Sequence, residues 1–357
     1  MAEAYSPLQI RLVNGLTEDP AVYAFHQPSG EAFSFDLGNL EPLTPKDVLR
    51  LRHFFVSHTH VDHFIGFDRV LRANIPHFRT LSLHGPVGLS SNVQGKLRGY
   101  NWNLVEADQI SFQVTEIDRE GRVRRFHITN TSDFAIEEIP LEWSDSTIGQ
   151  PKLPAARVCQ FAHGAEMHAI ALDHGTDSIA FFYQEPARFK VRDHQLTREQ
   201  LNPGPWIREL QTAAAQGDLD TVIDPGSGPE RAASLKERFL ELGHSSSYGY
   251  VTDIAFTRDN LDRLKTLLLK PDLLICESNF AAEDSSKAQE KKHLTTKQAA
   301  LIAANVNARR LQTFHYSKLY SQNPDLIQNE GQTYFADFTR LRSAALKDAT
   351  ESAHCDH

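Results

Sequence analysis

The sequence is short of cysteine and has no long apolar segment. Its 357 residues include three cysteines, Cys159, Cys276 and Cys355, which lack the paired spacing of a disulfide framework or a zinc module. No segment approaches the roughly 20 apolar residues of a membrane-spanning helix, and the first residues lack the pattern of a signal peptide. These absences exclude a membrane protein and a disulfide-stapled secreted domain, and they predict a cytoplasmic protein.

Positive charge is also scarce. The chain has 37 Lys and Arg against 46 Asp and Glu, a net charge of −9. Such a protein has no global attraction for nucleic acid, so RNA binding would depend on local basic patches. Three short segments are candidates, although a solvated surface explains each of them better: residues 121–127, 188–192 and 307–312.

The order of apolar segments predicts an α/β fold. Short strands dominate the first half, and helices alternate with strands in the second half, including helices at about 230–242 and 333–348. Strand-rich halves closed by helices predict two sheets packed face to face with helices outside. We expect a single domain at 1–349, with an excursion rich in proline and glycine at about 185–230 and a tail at 350–357.

Three histidines and an aspartate lie within six residues of one another, in "SHTHVDH" (residues 57–63). An apolar strand precedes them, and a helix is predicted at about 63–73, so the cluster occupies a strand-to-helix loop. The first two histidines are two apart in extended chain and point the same way. Imidazole and carboxylate ligands suit zinc, and a site with open positions is catalytic. The candidate ligands are His58, His60, Asp62 and His63.

Further ligands are expected at the ends of other apolar strands, on the same edge of the fold. His174 ends "AIALDH", Asp253 ends "YGYVTD" and His315 ends "LQTFH". Each alone is better explained as a structural residue, but together they form a coherent set. An aspartate between two metal ions can bridge them, because its two oxygens carry a charge that offsets both cations. Three other histidines are interpreted as structural: His84, His163 and His168.

The order of these motifs resembles the metallo-β-lactamase superfamily and, within it, the ribonuclease Z family of tRNA 3′-processing endonucleases. "SHTHVDH" is similar to the His-x-His-x-Asp-His motif, "VTDIAFTRDN" stands where the family has its bridging aspartate, and "FHYSKLY" matches the last histidine motif. The segment from Glu277 to His293 is similar to the glutamate loop and the helix start of the phosphodiesterase branch. "NPGPW", with Gly204 and Pro205, resembles a segment of the substrate-binding arm. The resemblance covers roughly residues 8–325.

The chain departs from the family pattern where the family contacts tRNA. The segment "LVNGLTEDPAVYAF" lacks the usual arginine loop near residues 15–22, and "NLEPLTP" replaces the usual stretch after "FSFDLG". The third motif carries "FFYQ" where Gly-Tyr-Arg is usual, and the arm is not strongly basic. These departures concern substrate recognition and leave the metal motifs intact.

The resemblance implies a four-layer αββα sandwich with a protruding arm, and a homodimer. It implies two zinc ions, with manganese or iron as alternatives, and a metal-bound hydroxide that attacks a phosphodiester. We expect His58, His60 and His174 at one ion, Asp62, His63 and His315 at the other, and Asp253 between them. Asp62 can also accept a proton from the attacking water.

The remaining assignments concern residues that do not hold the metal ions. His293 is the candidate donor of a proton to the leaving oxygen, and Glu277 is expected to orient it. Asp36 is the candidate partner for the outer nitrogen of a ligand imidazole.

Three alternatives remain open at this stage. A thioester or lactone hydrolase would keep the metal ligands without needing Glu277 and His293. A hydrolase of a cyclic nucleotide or another small phosphodiester would keep that pair and lose the tRNA-binding parts. A binding protein without catalysis is the third, although such relatives tend to lose ligands and this chain has all seven.

Overall fold

The computed structural model describes residues 7–141, 147–148, 155–243 and 245–354. It divides the chain into two compact units. The first, the core unit, comprises Met1–Tyr183 and Ser247–His357, and the second, the arm unit, comprises Gln184–Ser246.

Two large sheets form the core unit. The first sheet has its eight strands in sequence order, with parallel pairing from the third strand to the sixth. These strands are β1 (Leu8–Leu12), β2 (Val22–His26), β3 (Glu31–Phe35), β4 (Leu51–Phe55), β5 (Arg79–Pro86), β6 (Ile110–Ile117), β7 (Val123–Thr129) and β8 (Glu137–Ile139).

The second sheet has seven strands, in the order β19-β18-β17-β12-β11-β10-β9, and its last three strands along the chain run parallel. These strands are β9 (Thr147–Ile148), β10 (Ala155–Gln160), β11 (Glu166–Asp173), β12 (Asp177–Gln184), β17 (Ser247–Val251), β18 (Leu273–Glu277) and β19 (Leu311–Phe314).

Helices cover the outer faces of both sheets. The helices of the core unit are α1 (Pro45–Arg50), α2 (Val61–Phe64), α3 (Phe67–Asn74), α4 (Leu89–Arg98), α8 (Arg258–Leu267), α9 (Ser285–Lys291), α10 (Thr296–Asn305) and α11 (Pro324–His354). Apolar residues of α1, α3 and α4 pack on the first sheet, and those of α8, α10 and α11 pack on the second. The core unit is therefore a four-layer αββα sandwich.

The space between the two sheets is filled largely by aromatic side chains. Phe33, Phe35 and Phe55 from the first sheet meet Phe181 and Tyr250 from the second, and all five are buried. Alternating aromatic residues in short strands place these rings on the inner faces. Burial of each such ring contributes about 2–3 kcal/mol to the stability of the fold. This layer therefore fixes the positions of the strand ends that carry the candidate site.

The arm unit has a hydrophobic core of its own, built from Leu196, Trp206, Leu210, Leu235 and Phe239 among others. Its elements are β13 (Phe189–Val191), α5 (Asp193–Arg198), α6 (Pro205–Gln216), β14 (Val222–Ile223), β15 (Glu230–Arg231), α7 (Ala232–Phe239) and β16 (Leu240–Leu242). Gly204 and Pro205 lie at the start of α6.

The end of the arm unit and the helix after the histidine loop differ from the sequence-based predictions. The arm unit ends at Ser246 rather than near residue 230, because α7 packs in the core of the arm and β16 pairs with β13. The helix predicted at 63–73 is two helices, α2 and α3. They are separated at Gly66, where a Cβ atom would lie 2.2 Å from the carbonyl oxygen of Gly38.

The C-terminal helix α11 is longer than the sequence predicts. It runs to His354, through most of the segment expected to be a tail, because no proline or glycine after Gly331 ends it. None of the helices in the described part of the chain combines the length and apolar character needed to cross a membrane.

Candidate dinuclear metal centre

The candidate site lies where strands of both sheets end. The histidine loop follows β4, His174 follows β11, Asp253 follows β17 by two residues, and His315 follows β19. Asp253 and His315 have positive φ values of 47° and 57°, which non-glycine residues rarely adopt. Such strain clusters at functional sites, where it turns a side chain out of the path of its strand.

The structure brings the predicted ligands together in two groups. Within each group, one nitrogen or oxygen atom per residue lies within 4.8 Å of those of all the other members. The first group contains His58, His60, His174 and Asp253. The second contains Asp62, His63 and His315. The sequence-based hypothesis assigns the same residues to each ion, with Asp253 between the two ions.

Asp253 contacts both groups. Its Oδ2 lies 3.5 Å from Nε2 of His174 and 3.4 Å from Nε2 of His63. Its Oδ1 lies 2.8 Å from Nδ1 of His315. The side chain is 3% exposed, so the carboxylate faces these imidazoles and not solvent. Its oxygens therefore face imidazoles of both groups.

The outer nitrogens of three imidazoles are held by hydrogen bonds. Nδ1 of His63 donates to Oδ2 of Asp36 at 2.8 Å, and Nδ1 of His174 donates to the carbonyl oxygen of Lys292 at 2.8 Å. Nδ1 of His58 lies 3.0 Å from Oγ of Ser57, whose hydroxyl donates to Asp36. Because Nδ1 carries the proton in each ring, the lone pair of Nε2 points into the site.

These residues fit a metal ion. Among the described residues, Nε2 of His58 and Nε2 of His63 are buried and make no hydrogen bond. Buried nitrogen atoms without partners are costly and rare. A cation at each group would satisfy them, and the nitrogen and oxygen donors suit a divalent transition metal.

Electrostatics also prepare the site for cations. Burial, together with the neighbouring His63, lowers the pKa of His58 to about 2, so this ring stays neutral, as a ligand must be. Burial raises the pKa of Asp253, but the neighbouring His315 and His63 outweigh it and hold that pKa well below its ordinary value. Burial also opposes ionisation of Asp62, but the hydrogen bond with His315 brings its pKa down to about 2. Both carboxylates are therefore anionic.

The predicted acid pair adjoins Asp253. Nδ1 of His293 lies 2.8 Å from Oε2 of Glu277, which is fully buried at the end of β18. The other oxygen of Glu277 accepts a hydrogen bond from the backbone nitrogen of Ile254 at 2.8 Å. Burial lowers the pKa of His293, but Glu277 outweighs it and raises this pKa above its ordinary value. His293 can therefore hold a proton near neutral pH.

Sequence reasoning missed several residues that support the ligands. The hydroxyl of Tyr250 donates to Oδ2 of Asp36 at 2.6 Å, and the backbone nitrogen of Ser57 donates to Oδ1 at 2.6 Å. Asp36 thus binds three polar groups besides the ring of His63. Tyr250 is 214 residues away in the chain, and neither it nor the Lys292 carbonyl carries a motif that would reveal its role.

The comparison with known proteins identifies the family. No family model matches the chain. A protein of Deinococcus radiodurans named ribonuclease Z is 30% identical over 285 residues, which are 79% of this chain and 81% of that protein. The chain belongs to the ribonuclease Z family. Members of this family are metal-dependent hydrolases, and the two groups of His and Asp residues are the part of this chain that could hold the metal.

Solved structures show the same fold. The short form of human tRNase Z superposes with a TM-score of 0.51 at 16% identity, over 87% of this chain and 93% of that chain. The metallo-β-lactamase fold protein YhfI of Bacillus subtilis gives a TM-score of 0.51 at 12% identity, over 93% and 94%. The core unit of this chain therefore has a metallo-β-lactamase fold.

Proposed function

We propose that the protein is a metal-dependent phosphodiesterase that cleaves RNA as an endonuclease at the 3′ ends of tRNA precursors. The observation that carries this proposal is the Glu277–His293 pair beside Asp253. The two ligand groups alone would suit many hydrolases. A buried carboxylate that holds a protonated imidazole at the same centre suits a reaction with a poor leaving group, such as a ribose alkoxide.

Seven residues would hold two divalent ions, which we assign as zinc. His58, His60 and His174 would bind one ion, Asp62, His63 and His315 the other, and Asp253 both. When bound, the ions would lower the pKa of a water molecule and neutralise the charge that develops on the phosphate. Manganese and iron are the alternatives.

The side chains of this protein would then move the protons. The side chain of Asp62 is 42% exposed, so it can accept the proton of the attacking water. Nδ1 of His293 is occupied by Glu277, which leaves the Nε2 proton for the leaving oxygen. Glu277 is the positioning residue, because its second oxygen is fixed by the backbone of Ile254.

The assignment to tRNA rests on the family. Relatives that match four-fifths of this chain are named ribonuclease Z, and the arm unit contains the segment "NPGPW" that resembles the family's substrate-binding arm. We also propose a homodimer, which is the assembly that the family resemblance implies. Cys276 is buried and forms no disulfide within the described part of the chain, which supports a reducing, cytoplasmic location.

A hydrolase of small phosphodiesters is the second candidate. The arm unit has 8 Lys and Arg against 10 Asp and Glu, so it offers no net positive charge to an RNA backbone. Phosphate contacts by Lys and Arg normally supply much of the affinity for nucleic acid. An enzyme for a cyclic nucleotide would keep the metal centre and would not require such contacts.

A panel of four substrates tests the proposal: a tRNA precursor with a 3′ trailer, bis-p-nitrophenyl phosphate, a cyclic nucleotide and a thioester. We expect endonucleolytic cleavage of the precursor and hydrolysis of bis-p-nitrophenyl phosphate at low salt. Hydrolysis of the cyclic nucleotide with the precursor uncut would replace the first candidate by the second. Turnover of the thioester alone would overturn both.

A further inference from the structure

A second cluster of metal-binding side chains lies between the two sheets. His53 of β4 and His84 of β5 come from the first sheet, and Cys159 of β10 comes from the second. His84 and Cys159 are each 2% exposed. The cluster shares no residue with the candidate dinuclear centre, and the reaction proposed above does not use it.

The three side chains converge on one point. Nδ1 of His53 lies 3.2 Å from Nε2 of His84 and 3.5 Å from Sγ of Cys159. All three atoms lie within 4.8 Å of one another. A tetrahedral zinc ion with bonds of about 2.0 Å to nitrogen and about 2.3 Å to sulfur separates two nitrogens by about 3.3 Å, and nitrogen from sulfur by about 3.5 Å. The two separations measured from Nδ1 of His53 already have these values.

Hydrogen bonds alone account poorly for this arrangement. A ring nitrogen carries either one proton or one lone pair, so Nδ1 of His53 can make one linear hydrogen bond. Two neighbours, an imidazole nitrogen and a thiol, compete for it. A cation with several coordination positions would bind all three atoms at once.

We propose that His53, His84 and Cys159 form a separate site for a single zinc ion. The thiolate offsets one of its two charges, and the neutral imidazoles supply the other two bonds. Three fixed charges lie near His53: Glu31 favours a cation there, while Arg125 and Arg52 disfavour it, so the thiolate has to supply the charge that holds the ion. A water molecule would complete four-coordination.

The ion would link the two sheets of the sandwich. Two of its ligands belong to adjacent parallel strands, β4 and β5, and the third belongs to the opposite sheet. Structural metal ions contribute directly to folding free energy. This site would therefore stabilise the core unit without taking part in the reaction, and His84 would have a role beyond the structural histidine expected from the sequence.

Cobalt(II) is the probe that separates this site from the dinuclear centre. The seven candidate ligands of that centre offer only nitrogen and oxygen, so an absorption band from thiolate-to-cobalt charge transfer must come from a cysteine. We expect this band in the full-length protein loaded with cobalt. It should disappear in Cys159→Ser, and it should remain in the matched control, a double variant with Cys276→Ala and Cys355→Ala.

Metal content supplies the second readout. We expect about three zinc ions per reconstituted chain and about two in Cys159→Ser, whose hydrolysis of bis-p-nitrophenyl phosphate should be unchanged. If Cys159→Ser fails to fold, zinc X-ray absorption of the unaltered protein decides, because the site requires one sulfur neighbour. No charge-transfer band and no sulfur neighbour in the unaltered protein would overturn the proposal. So would a third ion that survives in a folded Cys159→Ser protein.

Discussion

The candidate metal centre and the arm unit differ in how clearly their side chains indicate a ligand. In the metal centre, the seven predicted ligands converge, and hydrogen bonds orient the rings of His58, His63 and His174. The arm unit has a well-packed core, yet its charged residues are slightly more acidic than basic. Under the proposed function, the metal centre would supply the chemistry and the arm unit would have to bind RNA without a net positive charge. The two parts can therefore be tested separately.

The largest effect should follow from removal of the carboxylate shared by both ligand groups. Asp253→Ala should lower the content of both ions and reduce turnover of every substrate by orders of magnitude. The substitution removes the negative charge that offsets both cations, and the remaining imidazoles are neutral. Metal analysis and hydrolysis of bis-p-nitrophenyl phosphate measure this. Thr252→Ala, which removes only the hydroxyl that donates to Asp253, is the matched control and should retain both ions. Full activity of Asp253→Ala would contradict the site.

Deletion of the arm unit should separate the two regions. The backbone nitrogen of Glu185 donates to the carbonyl oxygen of Ser246 at 2.9 Å, so the chain enters and leaves the arm at neighbouring points. A short Gly-Ser linker can therefore replace residues 186–245. We expect tRNA cleavage to be abolished and hydrolysis of bis-p-nitrophenyl phosphate to persist, because all seven candidate ligands lie outside the arm.

Two outcomes would break this separation. If the shortened protein still cut the tRNA precursor, the arm would not be the part that recognises RNA. If it lost hydrolysis of bis-p-nitrophenyl phosphate while keeping its metal ions and its fold by circular dichroism, the arm would serve the chemistry as well.

The effect of removing the proposed acid on turnover should depend on the leaving group of the substrate. His293→Ala should lower turnover about 10²–10⁴-fold on RNA, whose leaving alkoxide needs a proton. The loss on bis-p-nitrophenyl phosphate should be much smaller, since p-nitrophenolate leaves without one. Single-turnover rates on both substrates, at equal metal content, measure the difference. Equal losses would leave His293 with a structural role only.

Much of the site's location can be predicted from the sequence because its residues follow apolar strands. Strands that end at the same edge bring such residues together, so a local pattern predicts a distant contact at His174, Asp253 and His315. The partners of those residues were not predictable in this way. Contacts such as Tyr250 with Asp36 depend on how the two sheets pack, and the contact of His174 with Lys292 uses a backbone carbonyl that any residue supplies.

The fold could be predicted at the level of layers but not of boundaries. Alternating apolar residues indicate strands, and strands with helices indicate a sandwich. The break at Gly66 depends on the close approach of Gly38, which no local pattern encodes. The same limit applies to the end of the arm, where β16 pairs with β13 about 50 residues earlier.

The smallest effect should come from substitution of Asp36, which accepts a hydrogen bond from Nδ1 of His63. Asp36→Asn keeps the shape of the side chain but removes the charge that accepts the proton of His63 Nδ1. Loss of such a partner typically costs about 10–100-fold in metal affinity. Titration with a competing chelator measures it, and Tyr250→Phe, which removes one donor to Asp36, should cost less. Unchanged affinity in Asp36→Asn would show that the ring of His63 is held by other means.

We expect the seven converging residues to hold two metal ions. The most direct measurement is the number of ions per chain in the reconstituted Cys159→Ser protein, in which the proposed site between the sheets is removed. Two ions, with zinc preferred over manganese and iron, are the predicted result. Less than about half an ion per chain, in protein that is folded by circular dichroism, would contradict the account.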